Sequence, residues 1–384
     1  MIDPPPSNGI PAEDDEQLPH DSPPPHHEPN DDEPWTPPND PTRRVEALYR
    51  HFTNKEILDG PFSPNLQRKR LSGKNLTRTN LREANLAGCD LSHSDLTRAD
   101  LTEADLTRSY LVKTNFTEAN LFRAHLTEAN LHGANLTRTN LNGANLSQAN
   151  LQKSNMLQTD FTGANLFKAI LTEAILAKAK LPRANLSQAN LDQSELISAD
   201  LFEAELFEAN LSGAILTQSD LSYSNLVRAS LIGADLTEAT LTGANLTEAR
   251  LSRANLTGAN LVDSNFVRTI LSGANLTKAN ATQGDFSQAE IGSAVLKGAD
   301  LSGANLSGAR LWWSDLTDTK LFRTNLTMVD LTNARLNGAL WDVKTIWPPE
   351  MRKALIDTST LLPDGTFMVR SDGESQRHAA AVKI

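Results

Sequence analysis

The chain has 384 residues, with 36 Lys plus Arg against 47 Asp plus Glu, a formal charge of −11, a single cysteine and only 5% aromatics. One Cys excludes a disulfide framework or a zinc cluster built from cysteines, and no apolar run is long enough to be a membrane-spanning helix. The N-terminal MIDPPPSNGIPAEDDEQ lacks a basic stretch followed by an apolar one. The expectation is a soluble chain without an export signal, cytoplasmic, using no cofactor.

Residues 1–41 are rich in Pro, Asp, Glu, Asn and His and nearly free of aliphatic side chains. Such a segment cannot bury enough apolar surface to offset ordering, so an acidic, disordered arm is expected. Over 42–63 the text changes. Val45, Leu48, Tyr49 and Phe52 recur at helical spacing behind Thr42, a suitable N-cap, and predict a short amphipathic helix.

From 64 to 340 one pattern holds without insertion or deletion. Every fifth residue from Leu66 to Leu336 is apolar, giving 55 sites of which 48 are Leu; the others are Phe116, Met156, Phe161, Phe266, Ala281, Phe286 and Ile291. Two residues before each site stands a small residue, usually Ala, and Asn or Asp usually comes between them. A period of five fits neither helix nor strand, so the repeat itself must be the structural unit. If the chain turns once per five residues, the Leu and the small residue point inward and the other three outward. Four such sides close a twenty-residue square coil, and coils stacked at the inter-strand spacing make a rod roughly 65 Å long.

This A-[N/D]-L-x-x text, as in NLTRTNLREANL and ADLTEADLTRSYL, resembles the pentapeptide-repeat family. The resemblance implies an all-β fold, a right-handed quadrilateral β-helix of about 14 coils. The predicted N-terminal helix is the candidate cap of the first coil, whose small inward positions are taken by Lys69 and Lys74. At the other end Trp312, Trp313 and Phe322 fall on outward positions, close in sequence to Trp341 and Trp347. Residues 341–384 are then a capping segment with a disordered end, with a short helix near Met351–Ile356 and a turn at Pro363-Asp364-Gly365. The five aromatic residues form that cap, a homodimer contact through the C-terminal coils, which is the pairing mode the resemblance implies, or both at once.

No catalytic constellation emerges. Cys89 occupies a small inward site and reads as a substitute for Ala; His125 and His132 are outward, with no converging partners for a metal. The many Asn-Leu-Ser/Thr sequons are a by-product of the repeat, in which Asn is expected to bond the backbone at corners or ladder between coils.

Charge is distributed unevenly. Residues 1–64 hold 14 acids and 4 bases, whereas 65–340 hold 27 and 26. Within the rod, 68–82 carry Arg68, Lys69, Arg70, Lys74, Arg78 and Arg82 without an acid. Conversely, 184–227 carry Asp192, Glu195, Asp200, Glu203, Glu205, Glu208 and Asp220 without a base. Phe202, Glu203, Phe207 and Glu208 in this acidic belt are the candidate partner-binding residues. The function expected is a non-enzymatic interaction or structural rod with an unknown protein partner. The alternative comes from the resemblance: Qnr- and MfpA-type quinolone-resistance proteins imitate duplex DNA and bind DNA gyrase or topoisomerase. A near-neutral rod does not fit a continuous phosphate mimic, and direct nucleic-acid binding is not expected.

Overall fold

The computed structural model describes residues 65–370. The expected arm over 1–41, the helix over 42–63 and the disordered end beyond 370 lie outside the described residues.

One repeat suffices to show how the coil closes, because each of its five N–H groups has a partner. In Asp90–Ser94, Asp90 N–H donates to Lys69 C=O in the coil before (3.0 Å), while Leu91 and His93 donate to Tyr110 C=O (2.8 Å) and Val112 C=O (2.9 Å) in the coil after. Ser94 N–H turns back to Leu91 C=O (3.0 Å). The remaining donor, Ser92 N–H, is taken by the Asp90 carboxylate (3.0 Å). This is why Asn or Asp stands before the Leu: its side chain caps the one N–H that the ladder leaves over.

The turn has a second requirement. From Arg68 to Gly338, the second residue after every inward site has φ between 53° and 72°, the left-handed region. Together with the Leu C=O to N–H bond three residues on, this is the type II turn geometry. Gly takes that position without strain, yet most are Arg, Glu, Lys or Gln held there by the ladder on both sides.

With a turn every five residues, each side has room for one bridging residue. The fold is therefore a ladder of isolated parallel bridges at a spacing of twenty, from Asn65↔Asn85 to Lys320↔Leu340, with no long strands over these coils. Four sides per coil follow, and the inward assignment holds: the Leu column is buried along the rod, and its Ala, Ser and Thr companions are buried except Thr79 and Ala334 near the two ends, most at 0–1% exposure. Inward hydroxyls are satisfied by carbonyls, as in Thr114 Oγ1 to Leu91 C=O (2.8 Å). Cys89 is likewise buried, its thiol directed at Leu66 C=O, and burial pushes its pKa up. It is an inert core residue.

The C-terminal segment departs from the repeat in stages. Trp341 takes the next inward site after Leu336 at 2% exposure, and Leu340–Trp341 forms strand β1. The following bridge, Asn325↔Ile346, has slipped by one residue, which seats Trp347 inward at 4% exposure. Thr345 supplies the small inward companion, its hydroxyl bonded to Leu321 C=O (2.6 Å). Pro348 and Pro349 then stop the ladder and start helix α1, Pro349–Thr358. Strands β2 (Ser359–Leu361) and β3 (Phe367–Val369) complete an antiparallel sheet in the order β1-β3-β2. Phe367 stacks on Trp341 at 4.3 Å, and Trp341 meets Trp347 edge to face at 6.0 Å. The helix expected near 351–356 and the turn at Gly365 (φ 82°) are both present.

Candidate partner-binding surface

Because coils repeat every twenty residues, residues twenty apart form columns along the rod. Over some stretches the corner residues, those with positive φ, alternate in sign along their column. On one ridge Gln188 donates to Glu208 (2.9 Å), Arg228 lies between Glu208 (3.9 Å) and Glu248 (2.9 Å), and Arg268 joins Glu248 (3.6 Å) to Gln288 (3.0 Å). A second ridge runs Arg98–Glu118–Arg138–Gln158. The charged hydrogen bond from Arg98 holds the Glu118 carboxyl below its ordinary value, as Arg228 does for Glu248. Part of the rod's near-neutrality is thus local: Arg98, Arg108, Arg183 and Arg228 each face a glutamate one coil away.

The third side, whose inward residues begin Leu76, Leu96 and Phe116, is the most regular. Asp95, Thr97, Asn115, Thr117, Asn135 and Thr137 form a continuous side-chain zipper with bonds of 2.5–3.0 Å. The same arrangement recurs from Asp235 to Thr277. Between the two zippers the pattern breaks. Ile175, Ile197 and Ile215 stand exposed at 37–38%, with Leu157 half-buried beside them and Glu195 between Ile175 and Ile215. The sequence shows these as scattered replacements; only the twenty-residue column brings them to one face.

The acidic belt lies at the same axial level. Phe202 and Phe207 are half-buried on adjacent sides, and Phe202 meets the ring of Tyr223 edge to face at 5.8 Å. Tyr223 is 59% exposed and was not among the expected residues, although its position twenty after Glu203 places it on the same corner. Its ring lies over Gly243, where a Cβ would come within 2.6 Å of Cε1. The belt is not a free field of carboxylates: Glu203 is paired with Arg183 (2.6 Å), Glu208 accepts from Gln188, and Glu205 accepts from Asn225 (2.8 Å).

The five C-terminal aromatics divide. Trp341 and Trp347 are buried in the inward columns, while Trp313 is 67% exposed. Phe322 is half-buried, and Trp312 folds its indole over Gly292, where any side chain would collide with it. Met328, Val343, Ile346, Ile356 and Leu361 are also exposed toward this end.

Among the described residues, no group of three or more His, Cys, Asp and Glu side chains is placed to hold an ion. A shallow depression of about 360 Å³ lies between Arg68–Arg70 and Tyr110 at the first coils. No helix among the described residues is long and apolar enough to cross a membrane.

The family model described as pentapeptide repeats matches in overlapping stretches from 65–98 to 299–338, well over half of the chain. No curated protein matches the chain. Among solved structures, HetL, a pentapeptide repeat protein involved in heterocyst differentiation regulation in the cyanobacterium Nostoc, is 29% identical, covering 77% of this chain and 94% of its own (TM-score 0.28). QnrB1, a plasmid-mediated fluoroquinolone resistance protein, is 19% identical over 45% of this chain and 86% of its own (TM-score 0.38). A pentapeptide repeat protein of the Arabidopsis thaliana thylakoid lumen is 32% identical over 27% of this chain and 66% of its own (TM-score 0.19). At these TM-scores the superpositions carry no argument about function.

Proposed function

Because the chain belongs to the pentapeptide-repeat family, whose members form right-handed quadrilateral β-helices, we propose that it is a non-enzymatic rod of about 14 coils that binds a protein partner at its waist. The observation that carries this reading is the coincidence at one axial level of two departures from the repeat. The third side loses its polar zipper to Leu157, Ile175, Ile197 and Ile215, and the belt of Phe202, Glu203, Phe207 and Glu208 lies at those same coils. Along the two zippers, by contrast, polar side chains bond one another and leave little for a partner to gain, although Val295 interrupts the same side again beyond them.

On this reading, the segment with Trp341, Trp347 and β1–β3 closes the C-terminal end of the rod. Exposed Trp313, Met328 and Ile346 there are the candidate contact with a second copy. The duplex-DNA-mimic alternative is not favoured, since ridges of alternating sign do not imitate a row of phosphates.

The test is affinity capture with the full chain beside a variant carrying Phe202→Ala, Glu203→Gln, Phe207→Ala and Glu208→Gln, with a gyrase supercoiling assay in parallel. The reading predicts that a captured partner is lost or at least tenfold depleted with the variant and that supercoiling is unaffected. An unchanged set of partners removes the belt from the function, and inhibition of supercoiling by wild type restores the alternative.

A further inference from the structure

Five outward Phe residues follow an inward Leu in two columns: Phe122, Phe202 and Phe322 in one, Phe167 and Phe207 in the other, and Phe322 is followed by Arg323. The rod treats the pairs Phe122/Phe202 and Phe167/Phe207 in two ways. At the first of each pair the next residue is a cation that covers the ring: the Arg123 guanidinium carbon lies 4.9 Å from the Phe122 centroid, and Lys168 Nζ lies 5.0 Å from that of Phe167. At the second of each pair the next residue is Glu203 or Glu208. A carboxylate thus occupies the chain position from which, two or four coils earlier, the protein covers its own ring with a cation.

From this we propose that the belt is a cation-accepting surface, occupied by an arginine-bearing extended segment of a partner protein. Its guanidinium groups cover Phe202 and Phe207 and pair with Glu203, Glu205 and Glu208. The inference rests on the waist reading above and adds the chemistry of the partner. Arginine fits better than lysine, because its planar group stacks on a ring and forks onto a carboxylate at once. Tyr223, 59% exposed and edge-on to Phe202, extends the aromatic surface by one coil. The carboxylates also have internal partners, Arg183 for Glu203 and Arg228 for Glu208, so the incoming guanidinium adds to or displaces an Arg already there. That exchange makes affinity steeply dependent on salt.

A second copy is a weaker fit as occupant. The chain's own cluster at Arg68–Arg82 directly follows residues 1–64, which carry 14 acids and 4 bases, and that tethered excess competes with any acidic surface of another molecule.

The experiment uses the full chain and a fluorescein-labelled hexa-arginine peptide, read by anisotropy at low salt, with hexa-lysine for comparison. The acidic N-terminal segment also attracts such a peptide, so the decisive variants leave charge unchanged: Phe202→Ala with Phe207→Ala, against Phe122→Ala with Phe167→Ala. The proposal expects the first pair to weaken hexa-arginine binding about tenfold, the second pair to leave it within twofold, and hexa-lysine to bind less tightly than hexa-arginine. Glu203→Gln with Glu208→Gln weakens binding to a similar extent and flattens its salt dependence. Equal binding by wild type and the Phe202/Phe207 variant, at matched thermal midpoints, overturns it. Self-association of wild type in sedimentation that the same variant abolishes overturns it in favour of a second copy. If capture yields a belt-dependent partner without an accessible Arg segment, the waist reading stands and this inference falls.

Discussion

At the scale of single residues, core volume is conserved locally across the rod. Phe266 and Phe286 occupy consecutive places in one inward column and stack at 4.7 Å with rings 7° from parallel. The space comes from two reductions in the same coil: Ala281 stands where Leu is usual, and Gly284 replaces the small inward Ala. A Cβ at Gly284 would lie 2.7 Å from Phe286 Cε2. Gly284→Ala therefore overpacks the coil and is expected to destabilise by about 1–3 kcal/mol in reversible denaturation. Combined with Phe286→Leu, the same change should cost much less, a coupling that a double-mutant cycle measures directly. The exceptional status of Ala281 was legible in the sequence. Its cause was not, because the compensating ring sits five residues away on the next side of the coil.

At the scale of the element, the five-residue side was readable from periodicity, including which residues face inward and that Asn serves the corner. The left-handed backbone at the second residue after each Leu was hidden, since Arg, Glu and Lys there carry no signature of positive φ and only the interspersed Gly hints at it. Ladder pairing at twenty residues was available in principle: Arg98, Glu118 and Arg138 align as soon as the sequence is written in coils. The pairing has a pH signature. Glu118, Glu128 and Glu248 are held below the ordinary 4.5 by hydrogen bonds from Arg98, Arg108 and Arg228, respectively. Their contribution is fully present above the unfolded value of 4.5 and is lost as pH falls through the lower folded value. Thermal midpoints should thus fall below pH 4.5. Glu248→Gln should lower the midpoint at pH 7 slightly and make its decline on acidification shallower. An identical pH profile in the variant would show that the ridge contributes nothing measurable.

At the scale of the whole molecule, the repeat was legible almost end to end, and the C-terminal departure was legible only in part. Trp341 keeps the five-residue phase, whereas Trp347 is displaced by one residue and cannot be assigned inward by counting. The net acidity of the chain belongs to its first 64 residues, and some of the rod's charges meet one another between coils, as Arg108–Glu128 and Arg228–Glu248 do. What distinguishes this level of the rod is therefore exposed apolar and aromatic surface. On the third side the polar zipper gives way at Leu157–Ile215, and around the corner Phe202 and Tyr223 bring rings to the same level. The most direct test of a waist-bound partner is an axial photo-crosslinking scan in cells along one ridge. A photoreactive residue is placed at Gln158, Ser198 and Gln218 within the waist, and at Arg78 and Lys278 beyond it. The account predicts cross-links to one protein species from the three waist positions and none from the outer two. Cross-linking confined to Arg78 or Lys278, or equal at all five, would contradict it.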